Sequence, residues 1–457
     1  MLLYAGKEAK DMSKDTYIGI IQDQRRSLYE LMEEAVVPRR PMERIELLHP
    51  CAQVVVGMRR CGKSVLCRMA LKAHPEIKFG YIDFDDEKLR DVQPDDLNDI
   101  LEAVYVVYGE DIQLLFMDEI QDVPAWELFV NRLLKNRHHL LITGSNSKLL
   151  SSELATHLTG RHIPIELFSF SFLEYRQFLK RGPVNTTVDR AQLRRDYDRY
   201  FDCGGLPETF GMADVRGYVH TLYDAILYRD IIGRYKIRSV KTFANVARLL
   251  MESFAKEVSY RNLANRIGVK NISTIQNYIG YMEGAYLIQT VNHYSSHVHE
   301  RLQIGKVYAT DPGYITHFTG ISEGDEARGR RLENIVFIQL RALREWLDYE
   351  IYYYRDQSHE VDFVLRRFGI PIRLVQVSYS LDNEKTRKRE LSALFAVGKK
   401  LNCKDLTLIT DHENGEEAQD GMTVRIVDVV TWLLEAPKEE PPKWGEPPAS
   451  SRTGFTS

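Results

Sequence analysis

The stretch VVVGMRRCGKSVLCRMAL, residues 54–71, decides the fold of the first part of the chain. Its three β-branched valines predict a buried strand that ends at Gly57, and the apolar spacing after Ser64 predicts a helix. Between them, residues 57–64 fit the pattern G-x-x-x-x-G-K-[ST] at every fixed position. Glycines let such a loop curl so that its N–H groups face phosphates, and the helix N-terminus adds positive potential. The stretch therefore predicts a strand, a phosphate-binding loop and a helix.

The side chains of this loop indicate a nucleoside triphosphate with Mg²⁺, so ATP and Mg²⁺ are the expected cofactors. Lys63 would neutralise the β- and γ-phosphates, and the Ser64 hydroxyl would bind Mg²⁺. A chance glycine turn is the alternative, which the strand-loop-helix context disfavours. The residues expected to contact the nucleotide are Gly57, Arg59, Arg60, Cys61, Gly62, Lys63, Ser64 and Val65.

A second apolar strand, residues 113–117, ends in the acidic pair Asp118-Glu119. A carboxylate at such a strand end lies beside the phosphate loop of a parallel sheet. Asp118 would hold the Mg²⁺ shell, through water, and Glu119 would polarise the attacking water. Two adjacent carboxylates suit hydrolysis better than transfer to a bound acceptor. An ordinary acidic strand end is the alternative.

Two further segments carry candidate catalytic groups. The strand HLLITGSN ends in Gly144-Ser145-Asn146, and a polar side chain there would touch the γ-phosphate or the water. In LTGRH, Arg161 would reach a neighbouring subunit's γ-phosphate and stabilise transition-state charge. A plain turn and a surface arginine are equally open interpretations of these two segments.

Composition bounds the class of protein. The 457 residues exceed what one core usually serves, 44% are hydrophobic and 28% are charged, and the net charge of −4 gives no strong global field. The five cysteines form no CxxC pair, which is typical of reduced cytosolic thiols. No apolar run approaches the ~18 residues of a membrane span. A cytoplasmic protein without a membrane partner is expected.

The chain predicts an α/β fold in several parts. Strands AQVVVG, FGYIDFD, QLLFMDE, HLLITGS and HIPIEL alternate with helical stretches that begin near Ser64, Leu97, Ala125 and Ser147. This alternation predicts a parallel sheet with helices on both faces, and with the phosphate-binding loop it predicts a P-loop NTPase core. The predicted parts are an N-terminal helical segment (1–45), the P-loop core (46–167), a helical lid or linker (168–240), a winged-helix-like module (241–295), an α/β domain (296–435) and a disordered tail (436–457).

The winged-helix-like module has a candidate recognition helix after the turn at Gly268. Ile275, Ile279 and Met282 repeat at helical spacing and should face the core. The polar residues expected on the outer face are Ser273, Thr274, Gln276 and Asn277, with Arg261, Arg266 and Lys270 nearby. DNA contact and a purely packing role both remain open.

The segments GMRRCGKS, LFMDEIQDVPAWELFVNRL, LITGSNSKLL, LTGRH and ELFSFSFLEY resemble the bacterial and archaeal AAA+ ATPases of the AAA_14 type with a DUF4143 C-terminal domain. YFDCGGLPETF, AILYRDIIGRY and KVYATDPGY extend the resemblance over roughly residues 30–435. It implies that residues 57–64 are Walker A and that Asp118 and Glu119 are Walker B. Asn146 falls at the sensor-1 position, with Ser145 close to it, and Arg161 lies where an arginine finger or sensor acts. It also implies a homo-oligomeric ring, with a hexamer among the options.

The last domain resembles the PD-(D/E)XK nuclease-like fold. Glu333 in RRLENIVFIQL and Asp362 in EVDFVL match its carboxylates, but Gln376 replaces the second strand carboxylate and Ser378 replaces the lysine. A neutral amide is a weaker ligand for a hard cation, and losing the lysine removes a charge beside the scissile phosphate. Glu333, Asp362 and Gln376 therefore predict a vestigial site, kept for packing or binding.

Three functions are weighed. The leading one is an Mg²⁺-dependent ATPase whose cycle moves or remodels DNA. The second is a nucleotide-switched binding or signalling module with slow turnover, and the third is an ATP-fuelled DNA nuclease. Basic clusters at residues 234–238 and 387–389 are candidate phosphate contacts, although a solvated charged face is the better explanation of each cluster alone.

Overall fold

The structure, a computed structural model, describes residues 13–145, 160–295, 304–318 and 324–441. The chain divides into two units, Met1–Leu167 and Phe168–Ser457. Each unit is built around its own β-sheet.

The first unit contains a five-stranded parallel sheet in the order β2-β3-β4-β1-β5. Its strands are β1 (Ala52–Gly57), β2 (Phe79–Asp83), β3 (Leu114–Asp118), β4 (His139–Gly144) and β5 (His162–Leu167). All five strands were predicted. Every residue of β1 and β3 is buried, as expected for strands covered on both faces of a parallel sheet.

Four helices of the described residues accompany this sheet. They are α1 (Lys14–Met32), α2 (Lys63–Ala73), α3 (Leu97–Tyr108) and α4 (Trp126–Lys135). Short 3₁₀ turns lie at Arg40–Arg44, Glu87–Leu89, Pro94–Asp96 and Ile120–Asp122. In α4 the buried side chains follow the helical repeat, which turns one apolar stripe to the core. The helix expected near Ser147 falls outside the described residues.

The helices of the second unit lie before, between and after its strands. They are α5 (Phe172–Phe178), α6 (Thr187–Cys203), α7 (Val215–Asp224), a π-helix (Ala225–Gly233), α8 (Val240–Glu252), α9 (Tyr260–Ile267), α10 (Ile272–Gly284), α11 (Pro312–Phe318), α12 (Asp325–Leu343), α13 (Glu384–Leu401) and α14 (Val429–Glu435). Short 3₁₀ turns lie at Pro207–Thr209 and Ala436–Lys438. Across the described ranges, no helix combines the length and the apolar character that crossing a bilayer requires.

The second sheet has nine strands in the order β13-β14-β12-β11-β10-β9-β7-β8-β6. They are β6 (Lys256–Ser259), β7 (Ile288–His293), β8 (Ile304–Ala309), β9 (Glu350–Arg355), β10 (Glu360–Arg367), β11 (Ile370–Ser378), β12 (Leu406–Thr410), β13 (Gly415–Gln419) and β14 (Met422–Asp428). The pairs β9–β10 and β10–β11 are antiparallel, whereas β11–β12 and β12–β14 are parallel.

One sheet runs through the region where a boundary at 295/296 was predicted. β8 pairs antiparallel with both β6 and β7, and β7 pairs parallel with β9. The elements of residues 240–309 thus follow the order α8-β6-α9-α10-β7-β8. Within α10, Ile275, Ile279 and Met282 are buried, which confirms the prediction that they face the core.

Candidate nucleotide-binding site

The carboxyl ends of the parallel strands bring the phosphate loop and the acidic pair together. β4 lies between β1 and β3, so one strand separates the phosphate loop from the acidic pair. Val56 of β1 is in register with Gly144 of β4, and Asp83 of β2 is in register with Asp118 of β3. The loop, the acidic pair and the end of β4 therefore meet at one edge of the sheet, where α/β proteins bind ligands.

The phosphate loop needs glycine at its first and sixth positions. A Cβ on Gly57 would lie 2.0 Å from the carbonyl oxygen of Leu167, because β5 runs close against the end of β1. Gly62 caps α2 with a φ of +96°, in the left-handed region that side chains rarely adopt. These two residues allow the backbone to curl into the start of α2.

The loop's other predicted residues occupy different environments. Cys61 is buried, and its Sγ donates to the carbonyl oxygen of Leu167 at 3.4 Å. Arg59 is half-buried, with Nη2 4.0 Å from Asp85 Oδ2. Arg60 is exposed and has a φ of 67°, and Val65 is half-buried in the first turn of α2.

Lys63 begins α2 and is buried. Its Nζ lies 3.2 Å from Glu119 Oε1 and donates to the carbonyl oxygen of Met58 at 3.4 Å. Burial opposes the charge on this ammonium, but the negative charge of Glu119 outweighs it and the pKa of Lys63 is raised. Lys63 therefore stays cationic in the site.

Asp118 and Ser64 form the pair of oxygen ligands expected for Mg²⁺. Ser64 Oγ donates to Asp118 Oδ1 at 3.0 Å, and the Thr143 hydroxyl donates to the same oxygen. Burial, and then the charge of Glu119, raise the pKa of Asp118 to about 6. The raised pKa shows that a nearby positive charge would stabilise the ionised form of Asp118. A hydroxyl beside such a carboxylate provides the oxygen ligands that Mg²⁺ prefers.

Glu119 is fixed by backbone and side-chain donors. Its Oε2 accepts from the amide of Gln121 and from the Ser145 N–H at 3.2 Å, and its own N–H donates to Thr143 Oγ1 at 3.1 Å. Burial favours the neutral acid, but the charge of Lys63 prevails and the pKa of Glu119 is lowered. The carboxylate is ionised and oriented, as a water-activating group must be.

Sequence reasoning missed four residues at this site. Thr143 holds both members of the acidic pair, and Gln121 holds Glu119. Asp83 adds a third carboxyl, whose pKa burial and then the charge of Asp118 raise to about 7. The guanidinium of Arg39 donates to the carbonyl oxygen of Cys61 at 3.1 Å. Of these four residues, only Asp83 could have been found from the sequence, because it lies at the end of a predicted strand.

Of the other two predicted catalytic residues, only Arg161 lies in the described part of the chain, and it is not gathered at this site. Asn146 lies outside the described residues. Arg161 is exposed and precedes β5, and its carbonyl oxygen accepts from the Ala52 N–H at 3.0 Å. Ala52 and His162 are in register at the amino ends of their strands. At ~3.3 Å per residue, the length of strand between Arg161 and the phosphate loop of the same chain is about 16 Å.

The nuclease-like residues meet in the second unit around a lysine. Glu333, Asp362 and Gln376 are buried, and Lys306 Nζ donates to Glu333 Oε1 at 3.1 Å and to Asp362 Oδ1 at 2.9 Å. The lysine of this fold was expected to be lost at position 378, and β8 supplies Lys306 from a different strand. Ser378, at the expected position, donates instead to the carbonyl oxygen of Ser380.

Gln376 does not face the lysine. Its Nε2 donates to Glu390 Oε2 at 2.8 Å, and its Oε1 accepts from the Asp362 N–H at 3.1 Å. Within the described part of the chain, no group of three or more His, Cys, Asp or Glu side chains is placed to hold a metal ion.

Models of known protein families match three parts of the chain. A family model for an AAA domain matches residues 50–176, and a model for DUF4143, a domain of unknown function, matches residues 328–429. A third, for the domain of unknown function DUF8612, matches residues 194–325.

Relatives match most of the chain. An uncharacterized protein of Methanocaldococcus jannaschii is 33% identical over 400 residues, which cover 85% of this chain and 88% of the relative. An uncharacterized protein of Haemophilus influenzae is 28% identical over 400 residues, covering 84% and 94%.

Solved structures match more remotely. The Holliday junction branch migration motor RuvB of Thermotoga maritima is 18% identical, with 62% of this chain and 92% of that chain covered and a TM-score of 0.26. Cdc6p of Pyrobaculum aerophilum is 12% identical, with 67% and 98% covered and a TM-score of 0.28. Scores of this size support no inference about function. The long match to the archaeal relative and the two matched domains do show the family: the chain belongs to the AAA-type ATPases that carry a DUF4143 C-terminal domain.

Proposed function

We propose that this protein is an Mg²⁺-dependent ATPase that hydrolyses ATP to ADP and phosphate. The observation that carries the proposal is the meeting of four groups at one sheet edge. Ser64 Oγ lies 3.0 Å from Asp118 Oδ1, and Lys63 Nζ lies 3.2 Å from Glu119 Oε1. A cation, a hydroxyl and two differently tuned carboxylates are what positioning and charge stabilisation of a phosphoryl group require.

Each residue has a role in the proposed reaction. The N–H groups of the loop and of the first turn of α2 bind phosphate oxygens, and Lys63 moves its charge from Glu119 to the β- and γ-phosphates. Ser64 and Asp118 would hold Mg²⁺, which would supply positive charge to neutralise the phosphates. Glu119, then released from Lys63, orients the attacking water and accepts its hydrogen bond.

Steady-state phosphate release by the full chain tests the proposal. Hydrolysis should require Mg²⁺, stop with EDTA and disappear in Glu119→Gln. If wild type binds ATP but shows almost no turnover, the nucleotide-switched binding module is the better description. If wild type does not bind ATP, both proposals fail.

We also propose that the active form is a homo-oligomeric ring, with a hexamer as one size. The support is the position of Arg161, which is exposed at the opposite edge of the sheet from the phosphate loop. From there the guanidinium can serve only the nucleotide of a neighbouring subunit. Light scattering with and without ATP tests assembly.

We infer that ATP hydrolysis is coupled to DNA, and that residues 234–284 bind it. This segment has nine Lys and Arg residues against three Glu, whereas the whole chain has a net charge of −4. β6 of this segment and β7, which follows it, both pair with β8, and this order of helices and strands supports a winged-helix-like module. On α10, Ser273, Gln276 and Asn277 are exposed. Such a helix face suits a DNA groove.

A stacked aromatic pair supports the location of the DNA surface. The rings of Tyr235 and Tyr281 lie 3.9 Å apart at 13°, so the basic segment 234–238 is held beside the end of α10. Tyr281 is four residues beyond Asn277 and shares its helix face. Lys236, Arg238 and Lys241 are exposed and would flank the polar face with positive charge.

The other basic cluster has different surroundings. Arg387 pairs with Glu413 and Glu417, and Arg389 pairs with Glu390. Lys388 pairs with Glu384. These carboxylates neutralise the cluster, which favours the interpretation as a solvated charged face.

Binding of duplex DNA at two or more salt concentrations tests the inference. Replacing Lys236, Arg238 and Lys241 by alanine should reduce the slope of log K against log salt by about 3 and weaken binding at least about tenfold. The matched control replaces Lys385, Lys388 and Lys399 on α13, which removes the same charge elsewhere. Equal losses in both triple variants, or no stimulation of ATP hydrolysis by DNA, would contradict the proposal.

We propose, finally, that the nuclease-like site is catalytically inactive. The support is the absence of a second strand carboxylate at Gln376, whose amide is committed to Glu390 and to the Asp362 N–H. Incubation of linear and branched DNA with Mg²⁺ or Mn²⁺ should give no cleavage. Cleavage that disappears in Asp362→Ala would establish the ATP-fuelled nuclease instead.

A further inference from the structure

We propose that Lys306 is a built-in cation that takes the place of the divalent metal in the nuclease-like site, so that this site binds no Mg²⁺ or Mn²⁺. The inference rests on the proposed nuclease-like fold and goes beyond it. It explains why two buried carboxylates of the nuclease-like pattern persist beside Gln376, an amide that is a weak ligand for a hard cation.

The ammonium of Lys306 has three donors and finds three carboxylates. Nζ lies 3.1 Å from Glu333 Oε1, 2.9 Å from Asp362 Oδ1 and 2.8 Å from Glu360 Oε1. The side chain is only 3% exposed. Because a lysine ammonium can donate three hydrogen bonds, this cation is saturated by its neighbours. No water or anion is needed to complete its shell.

Two further donors act on Glu333 and Asp362. The Tyr308 hydroxyl donates to Glu333 Oε1 at 2.7 Å, and the Val377 N–H donates to Asp362 Oδ2 at 3.0 Å. Mg²⁺ needs about six oxygen ligands in near-octahedral geometry. These donors instead orient the carboxylates toward an ammonium.

The amide of Gln376 does not contact the lysine. Gln376 directs its carbonyl oxygen to the Asp362 N–H and its NH₂ to Glu390, so neither group reaches Lys306. The site thus has three carboxylates, two of them buried, that surround the position of one cation. The ammonium of Lys306 already occupies that position. A divalent ion would have to enter next to a like charge in a buried place, which is unfavourable.

Charge balance favours the lysine over an unpaired acidic cluster. Burial opposes the ammonium, but Asp362 and then Glu333 outweigh it and raise the pKa of Lys306 well above its usual value. Burial and then Asp362 raise the pKa of Glu333. Without Lys306 the neighbouring carboxylates would repel each other in the core, so one of them would have to bind a proton or another cation.

Binding of Mn²⁺, measured by electron paramagnetic resonance on the nucleotide-free full chain, tests the inference. Wild type and Asp362→Asn should bind the same number of Mn²⁺ ions. Lys306→Met, which keeps the length of the side chain and removes the charge, should bind one more Mn²⁺ per chain than wild type. Adding Asp362→Asn to Lys306→Met should remove that extra ion.

A wild type that binds one Mn²⁺ more than Asp362→Asn would overturn the inference. Failure of Lys306→Met to fold, seen by circular dichroism, would leave the comparison of wild type with Asp362→Asn and with Glu360→Gln decisive. The cleavage assay separates this inference from the proposed inactivity. Mn²⁺ bound through Asp362 without cleavage contradicts only the built-in cation, whereas Asp362-dependent cleavage contradicts both.

Discussion

The ammonium of Lys63 lies 3.2 Å from Oε1 of Glu119, so the group expected to hold the γ-phosphate and the group expected to activate the water are paired with each other. Without nucleotide, the two charges neutralise one another in a buried place. ATP has to separate them, which links phosphate binding to the release of the carboxylate.

Replacing Lys63 by alanine should weaken ATP binding about 10- to 100-fold, because a charge-assisted contact to phosphate is lost. Titration with a fluorescent ATP analogue measures the effect. Lys72→Ala, at the exposed end of the same helix, is the control and should bind as wild type does. Equal affinities of Lys63→Ala and wild type would contradict the assigned role.

Replacing Glu119 by glutamine should keep ATP bound and lower kcat by about 10² or more, because the amide cannot act as a base. Single-turnover experiments with radiolabelled ATP separate binding from hydrolysis. Glu110→Gln, an exposed residue near the start of β3, serves as the control. Turnover by Glu119→Gln at the wild-type rate would exclude this carboxylate from the chemistry.

The substitution Thr143→Val keeps the shape of the side chain and removes the hydroxyl that holds both members of the acidic pair. It leaves the part-buried N–H of Glu119 without its acceptor, at a cost of about 1 kcal/mol in unfolding free energy. We expect kcat to fall with little change in KM, because Asp118 and Glu119 are mispositioned. Urea unfolding and initial rates measure the two effects, with Thr221→Val on the exposed side of α7 as the control.

Gly57→Ala should abolish nucleotide binding and lower the melting temperature. The added Cβ would lie 2.0 Å from the carbonyl oxygen of Leu167, so β1 and β5 would have to separate. Gly19→Ala in α1 is the matched control, because nothing lies within 4 Å of its Cβ position. That variant should be as stable as wild type or up to about 1 kcal/mol more stable.

Arg161→Ala should lower kcat without weakening ATP binding, if the guanidinium serves a neighbouring subunit. Mixing this variant with Lys63→Ala tests the point, since each retains what the other lacks. Mixed assemblies should hydrolyse ATP faster than either variant alone. Mixtures that are no faster than the sum of their parts would count against action between subunits.

The phosphate loop was predictable because its geometry is local. Gly57, Lys63 and Ser64 lie within eight consecutive residues, and the strand before them and the helix after them follow from hydrophobic spacing. Asp118 was predictable for a related reason: parallel strands bring their carboxyl ends to one edge, whatever the distance along the chain.

Thr143 and Lys306 show where sequence reasoning fails. Thr143 lies in an apolar strand, and nothing in the pattern marks its hydroxyl as the residue that holds the acidic pair. Lys306 is 27 residues from Glu333 and 56 from Asp362, and only the pairing of β8 inside the sheet brings it to them. A contact made by strand order alone leaves no motif to recognise.

The continuous pairing of β6, β8, β7 and β9 has a consequence for the ancestry of the chain. A genetic crossover between β7 and β8 would leave two open strand edges that readily aggregate. Such recombinants would be lost by selection. The portion of the chain before β8 and the carboxylate-bearing portion after it should therefore be inherited together.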